Sequence, residues 1–212
     1  INSGSISNTK DINIENEAKC FSVKPISSFV KKLHKIDQII KNNKCEISII
    51  GGGVASFEIA FSLIRRYKNN IDITIFGNKI LEEKNLNKKT KKKLRNISNN
   101  LGINYYSGEV VSISKTHLTL KNGEKIKSDL NLLSTGACIE DWLMDSDIDK
   151  DEKGFISVDE NLLSTNNKNI FVTGDACSVL SINRPKSGVM AVRQGEVLKE
   201  NIIFKLTNKP LI

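Results

Sequence analysis

The sequence predicts an α/β fold: a parallel sheet wound with helices and joined to a β-meander, followed by a partial second α/β segment. Three observations carry the prediction. A strand, three consecutive glycines, a helix and a second strand succeed one another over residues 45–76, which is a βαβ unit. Short alternating strands with an Asn-Gly turn replace the next expected helix over 109–127. Two further apolar strands, at 130–136 and 170–175, each end near a glycine and precede a final helix.

Taken in order, residues 1–24 are polar and irregular, with one apolar stretch at 20–23. Pro25 opens a helix, because Ile26, Phe29, Val30, Leu33, Ile36 and Ile40 recur at intervals of three and four. CEISII (45–50) reads as a short buried strand, VASFEIAFSLIRRYK (54–68) as a helix and IDITIF (71–76) as a second strand. The lysine-rich stretch 87–101 is a helix stopped by Gly102, and 103–106 is a third strand. EVVSIS, HLTL and EKIK form a three-stranded meander, the last two joined by Lys121, Asn122 and Gly123, since Asn-Gly accepts positive φ. LNLLSTG (130–136) returns to a buried strand. A polar stretch follows, with Trp142 in a packing role, then FISV, the buried strand IFVTGD and a helix from about Ser187 through Ile203. The organisation read from this is 1–44, the end of a first segment and a connecting helix; 45–133, a Rossmann-like domain; and 134–212, a second segment.

Composition narrows the partners. The 212 residues carry a net charge of +8, with ordinary apolar and charged fractions. The densest basic run, KKTKKKLR at 88–95, has no interleaved aromatics to stack bases, so it reads as a solvated face and no nucleic-acid partner is expected. No apolar run is long enough to span a bilayer and no signal peptide is visible, which fits a cytoplasmic protein and leaves peripheral membrane contact open. Cys20, Cys45, Cys138 and Cys177 are far apart and read as reduced, mostly buried thiols; neither a metal nor a redox-pair spacing is present. His34 and His117 stand alone and read as structural or exposed, not catalytic.

The first motif is Gly51-Gly52-Gly53-Val54-Ala55-Ser56, a G-x-G-x-x-G pattern with Ser in the last place. Gly51 permits the tight turn, Gly53 lets a pyrophosphate approach the backbone, and the third position lets helix and strand pack closely. Between a strand and a helix, this points to dinucleotide binding at a helix N-terminus. The end of the second strand should then carry an acid for the ribose hydroxyls of NAD, but Gly77, Asn78 and Lys79 stand there. Lys79 would tolerate a 2′-phosphate, so NAD and NADP both stay open. The second motif, Thr173-Gly174-Asp175, places a carboxylate at the edge of a sheet where ligands bind. The third, Arg184-Pro185-Lys186-Ser187-Gly188-Val189, leads into the last helix, whose N-terminus favours negative charge near Asp175.

The order GGGVASFE, LLSTGA, IFVTGDA resembles the pyridine nucleotide-disulfide oxidoreductase superfamily. RPKSGVMAVRQGEVLKENI and VKPISSF are similar to the type II NADH dehydrogenase-like flavoprotein module found fused to selenide, water dikinase. The resemblance implies that Gly51, Gly52, Gly53, Val54, Ala55, Ser56 and Gly77 hold NAD(P)H, with Glu58 beside the nicotinamide. It implies that Thr135 and Gly136 line a hinge to FAD, that Gly174 and Asp175 hold the ribitol, and that Lys186, Ser187, Gly188 and Val189 approach the isoalloxazine. The lack of C-x-x-C excludes the arrangement of the thioredoxin reductases. The chain opens INSGSIS, as though within a longer protein, and only the 51–53 cluster forms G-x-G. The first FAD fingerprint is therefore expected upstream, and this fragment is expected to bind FAD poorly and to be inactive alone.

The activity so implied is that of an FAD-dependent NAD(P)H dehydrogenase passing hydride from nicotinamide to FAD and on to an acceptor, with no side chain required as acid or base. The electron acceptor and the oligomeric state stay open at this level. One alternative is a degenerate nucleotide-binding or scaffold domain, to which the departures at Ser56 and Gly77 would point; a second is nucleic-acid binding through the basic helix at 88–95, which steep salt dependence of polynucleotide affinity would reveal.

Overall fold

The computed structural model describes residues 1–41, 44–78, 86–182 and 184–212. In chain order its elements are β1 (Ile6–Ser7), β2 (Asn13–Ile14), β3 (Cys20–Ser22), α1 (Ile26–Ile40), β4 (Cys45–Ile50), α2 (Val54–Tyr67), β5 (Ile71–Phe76), α3 (Lys88–Asn100), β6 (Asn104–Tyr106), β7 (Val110–Ile113), β8 (His117–Leu120), β9 (Lys125–Lys127), β10 (Leu130–Leu133), β11 (Ala137–Cys138), α4 (Asp141–Met144), β12 (Ile156–Val158), β13 (Cys177–Val179) and α5 (Gly188–Leu206). They form two compact units, residues 7–136 and residues 1–6 with 137–212.

The 7–136 unit is built on a parallel sheet of order β3-β10-β4-β5-β6. β4 is its axis: Cys45 through Ile50 pair in register with Ile71 through Phe76 of β5, and Ile47 through Ile50 with Leu130 through Leu133 of β10. A strand buried on both faces should be apolar throughout, and Ile47, Ile49 and Ile50 of β4 are buried, as are Leu130, Leu132 and Leu133 of β10. α1 contributes Ile36 and Ile40 to this core, and α2 contributes Phe57, Ala60 and Leu63. Of the face predicted for α1, Ile36 and Ile40 are buried and Phe29 and Leu33 pack partly against the core, while Ile26 and Val30 near its start are exposed.

The stretch 1–24 is more ordered than its composition suggests. β3 joins the parallel sheet beside β10, with Cys20 opposite Asn131. β2 pairs with β7, so the expected three-stranded meander is a four-stranded sheet of order β2-β7-β8-β9. The 8–9 hairpin turns as expected, but of its Asn-Gly pair only Gly123 takes positive φ (+87°), with its N–H on the Leu120 carbonyl. That is a three-residue turn with glycine in the left-handed position. Gly102 ends α3 at φ +68°, in the place assigned to it.

An exposed ion pair ties the two helices. Arg66 on α2 donates to Asp37 on α1 at 2.9 Å, and the Tyr67 hydroxyl donates to the same carboxylate at 2.6 Å. The hydrogen bond from Arg66, then that from Tyr67, holds the Asp37 carboxyl below the usual carboxylate range. A depressed folded value gives stability that is present above the unfolded pKa, about 3.9, and is lost as pH falls through the folded value. Solvent screening limits it to about 0.5 kcal/mol. Asp37→Asn should therefore lower the urea midpoint slightly at neutral pH and leave it unchanged in strong acid. Urea unfolding at both pH values checks this.

The second unit has its own core of Ile139, Leu143, Phe155, Ile156, Val158, Leu162, Val172, Ala176, Cys177 and Val179, against which Val197 and Leu198 of α5 pack. β12 pairs in parallel with β13, Ile156 opposite Cys177. Here one expectation is corrected. IFVTGD is extended and its centre is buried, but it is not a regular strand. Ile1 lies beside it, its amino nitrogen donating to the Phe171 carbonyl (2.6 Å) and its carbonyl accepting from Thr173 (3.0 Å). On the other flank it makes only an isolated bridge, Leu163 to Phe171. Gly174, at φ +73°, turns the chain into one turn of 3₁₀ helix, and the regular pairing begins after it in β13. Trp142 is also not packed as expected: it is 57% exposed and its Nε1 donates to Glu140 at 2.6 Å.

Candidate functional site

The glycine turn lies where the winding of the parallel sheet reverses. The chain leaves β4 through α2 to β5 on one side, while β10 pairs on the other side of β4. Open α/β sheets bind ligands outside the carboxyl ends of their strands at such a point. Gly51 has φ +135°, and a Cβ there would lie 2.1 Å from the Ser134 carbonyl oxygen at the end of β10. Its N–H donates to the Phe76 carbonyl (2.8 Å), while Ser134 donates to the Ile50 carbonyl (2.8 Å). Three strand ends are therefore tied at one place. Gly77 serves the same crossing, since a Cβ on it would meet the Gly52 nitrogen at 2.9 Å. Gly77 is needed for close approach of backbone to backbone.

Ser56, the departure from the glycine pattern, is fully buried, and its hydroxyl donates to the Gly51 carbonyl at 2.6 Å. The bulk added at this position is thus converted into a clamp across the turn. Ser56→Ala should cost about 1 kcal/mol through loss of that bond. Ser56→Val should cost more, since it adds volume to a filled site and leaves the carbonyl without its partner. Thermal unfolding of both variants checks the order. α2 begins at Gly53 with no side-chain cap and no acid in its first turn. The positive end of the helix is thus not met by a carboxylate of its own first turn.

A cleft of ≈ 270 Å³ opens on this turn. Of the residues singled out from sequence, Gly51, Gly52, Gly77, Thr135 and Gly136 line it. Gly53, Val54, Ala55 and Ser56 form the start of α2 directly after the lining glycines. The Thr135 hydroxyl is buried and has no hydrogen-bond partner among the described residues. A buried polar atom left unpaired at a cleft wall is suited to a ligand donor or acceptor. Glu58 is not brought into this lining: it is exposed and borders the groove between α1 and α2 with Phe29, Leu33 and Ile59. Lys79 lies outside the described residues. Sequence reasoning missed Asn8, Asp11 and Glu109, which also line the cleft. They arrive from distant stretches, and no local pattern marks them.

In the other unit, Gly174, Asp175, Lys186 and Ser187 line a pocket of ≈ 260 Å³, together with Phe155, Cys177 and Gln194. Gly188 and Val189 open α5 just beyond the lining residues. Asp175 accepts a hydrogen bond from the Ser5 hydroxyl at 2.9 Å. Lys186 donates to the Cys177 carbonyl and stands 4.0 Å from the Phe155 ring centroid. Burial lowers its pKa from the usual lysine value. Ser187 caps α5 by accepting from Met190. Gln194, overlooked in the sequence, is buried and fixes the turn: its Oε1 accepts from the Gly174 N–H at 2.8 Å, and its Nε2 lies 3.4 Å from Cys177 Sγ. Gln194→Leu would strand a buried N–H and should cost about 1–3 kcal/mol, read from urea unfolding.

Among the described residues no His, Cys, Asp and Glu cluster is suited to a metal ion, and no helix is long and apolar enough to cross a membrane. Burial pushes the Cys20 thiol up to about 12 and, as the largest cause, the Cys45 thiol to about 11. Both are poor nucleophiles as placed.

Solved structures share this fold. The water-forming NADH oxidase from Lactobacillus brevis, bound to NADH, superposes with a TM-score of 0.78 at 20% identity, over 100% of this chain and 46% of that one. A NAD-dependent persulfide reductase from A. fulgidus gives 0.76 at 20% identity, over 95% of this chain and 38% of that one. An FAD-dependent pyridine nucleotide-disulphide oxidoreductase from Desulfovibrio vulgaris gives 0.73 at 21% identity, over 99% and 53%. The chain thus spans about half the length of these proteins or less. No curated protein sequence matches it. The family model described as pyridine nucleotide-disulphide oxidoreductase matches residues 1–195, nearly the whole chain, and the chain belongs to that family.

Proposed function

We propose that the chain is the nicotinamide-nucleotide domain and second FAD-contacting segment of an FAD-dependent NAD(P)H oxidoreductase. The observation that carries this reading is the glycine turn at the sheet's switch point, opening on a cleft ahead of an uncapped helix N-terminus. Family membership supports it. So do neighbours of the same fold that are described as bound to NADH or as FAD-dependent.

In this reading residues 45–133 take NAD(P)H, and 1–44 with 134–212 belong to the FAD side. Gly51, Gly52, Gly53, Val54, Ala55 and Ser56 receive the pyrophosphate and Gly77 keeps the turn open; the resemblance alone assigns Glu58, which lies outside the cleft lining, to the nicotinamide end. Thr135 and Gly136 form the passage toward the FAD side. Gly174 and Asp175 hold the ribitol, while Lys186, Ser187, Gly188 and Val189 border the isoalloxazine. Asp175, with its Ser5 partner, offers a carboxylate to ribitol hydroxyls, and Lys186 offers a cation to the electron-rich edge of the ring. The bound cofactors supply hydride transfer from nicotinamide C4 to flavin N5, and the chain's residues orient them and exclude water. The setting proposed is a cytoplasmic, type II NADH dehydrogenase-like module of the kind fused to selenide, water dikinase, delivering electrons to a further acceptor.

The test uses the full-length flavoprotein. Addition of NADH or NADPH under anaerobic conditions should bleach the flavin absorbance band. A flavin band unchanged by both nucleotides would instead favour a scaffold without redox activity.

A further inference from the structure

We propose that Glu109 makes this cleft selective for NADH over NADPH, supplying from the meander the carboxylate that is missing at the tip of β5. The inference rests on the proposed function and goes beyond it, to the choice of dinucleotide.

Dinucleotide sites of this architecture place an acid at the end of the second strand, where it accepts hydrogen bonds from the adenosine ribose hydroxyls and repels a 2′-phosphate. Here the residues at that point are Gly77, Asn78 and Lys79, none of them an acid, and Lys79 lies outside the described residues. Glu109 lies directly before β7 and lines the same cleft as Gly51, Gly52, Gly77 and Asn78. The Asn78 Nδ2 lies 3.5 Å from Glu109 Oε2, so the carboxylate stands beside the position an acid would normally fill. Lys121 donates to the same oxygen at 3.1 Å. That bond, first among the causes, holds the Glu109 carboxyl below the usual carboxylate range, and the group is ionised at neutral pH.

Among the described residues the surrounding charge agrees. Two acids, Asp11 and Glu109, and neither Lys nor Arg are found among the described residues lining the cleft. The pyrophosphate would rely on helix α2 and the backbone N–H groups of the turn, which do not discriminate between the two nucleotides. A 2′-phosphate would meet a carboxylate, and like-charge juxtaposition selects against the wrong ligand. Lys121 is the one described cation bonded to Glu109; its side chain is 71% exposed.

The test is titration of the full chain with NADH and NADPH, read by nicotinamide fluorescence, for the natural protein, Glu109→Gln and Lys121→Met. The natural chain should bind NADH at least ten times more tightly than NADPH. Glu109→Gln should shrink that ratio by about tenfold, mainly through tighter NADPH binding, with an unchanged melting temperature. Lys121→Met should keep the preference for NADH. If both nucleotides bind equally well to the natural chain, or if Glu109→Gln leaves the ratio unaltered, the inference is overturned while the dinucleotide site stands. A loss of NADPH affinity in Lys121→Met would also overturn it, by showing that Lys121 receives the phosphate. Binding of neither nucleotide would remove the dinucleotide site itself, and this inference with it.

Discussion

Gly51→Ala is expected to destabilise the 7–136 unit by about 3 kcal/mol or more, enough to remove much of the stability of a marginal domain. Two separate costs combine. The backbone at φ +135° lies where an L side chain is strained. The added methyl would also fall 2.1 Å from the Ser134 carbonyl oxygen, which is backbone and cannot swing aside. Relief would require β4 and β10 to separate where Ser134 donates to Ile50, and so would break the register of both strands. Urea unfolding followed by circular dichroism measures the effect. A midpoint equal to that of the natural chain would mean that the crossing is looser than described. Gly102→Ala is the control: its φ is also positive, but a Cβ there meets nothing within 4 Å, so its cost should stay near 1 kcal/mol.

Phe57→Ala should cost about 3–5 kcal/mol, the range for a deeply buried aromatic replaced by a methyl. Phe57 is fully buried in the first turns of α2, next to Ser56. Its ring meets Phe61 edge-on at 6.4 Å and lies against Tyr105 of β6 at 5.6 Å. Helix α2 is thereby pressed onto the sheet beside its own N-terminus. The variant should lose thermal stability and also loosen the glycine turn, since Ser56 can clamp Gly51 only while the helix is seated. Phe57→Leu, which keeps most of the volume, should recover most of the stability. If Phe57→Ala melted within a few degrees of the natural chain, the packing described for α2 would be wrong.

Much of the architecture can be read from local sequence, because its signals repeat over several residues or sit at one decisive residue. The apolar run of β4, the three-and-four spacing in α1 and the Gly102 stop each reappear in the structure. Elements without such signals were not legible. β2 and β3 are two and three residues long, too short to show a period, and exist because β7 and β10 present edges to them. The IFVTGD segment has strand composition, yet Gly174 ends it and its ladder partner, Ile1, is 170 residues away. Residue type alone points to packing for Trp142, whereas its place on a four-residue helix leaves it exposed.

The candidate site divides in the same way. Gly51, Gly52 and Gly77 were visible as glycines adjoining strand ends. Their reason, a crossing with Ser134 and with one another, is a tertiary fact. Ser56 in place of glycine is a departure in the sequence, and only the fold places its hydroxyl on the Gly51 carbonyl. Glu109 and Asp11 reach the cleft from opposite sides of the sequence, and only folding brings them to the strand tips.

The account depends on phosphate and ribose lodging at the ends of β4, β5 and β10. The most direct measurement is an amide nuclear magnetic resonance titration of the chain with NADH. Saturable shifts should centre on Gly51, Gly52, Val54, Ala55, Gly77 and Thr135, with little change along 88–95. Shifts confined to the lysine-rich helix α3, or none at the glycine turn at saturating NADH, would contradict it.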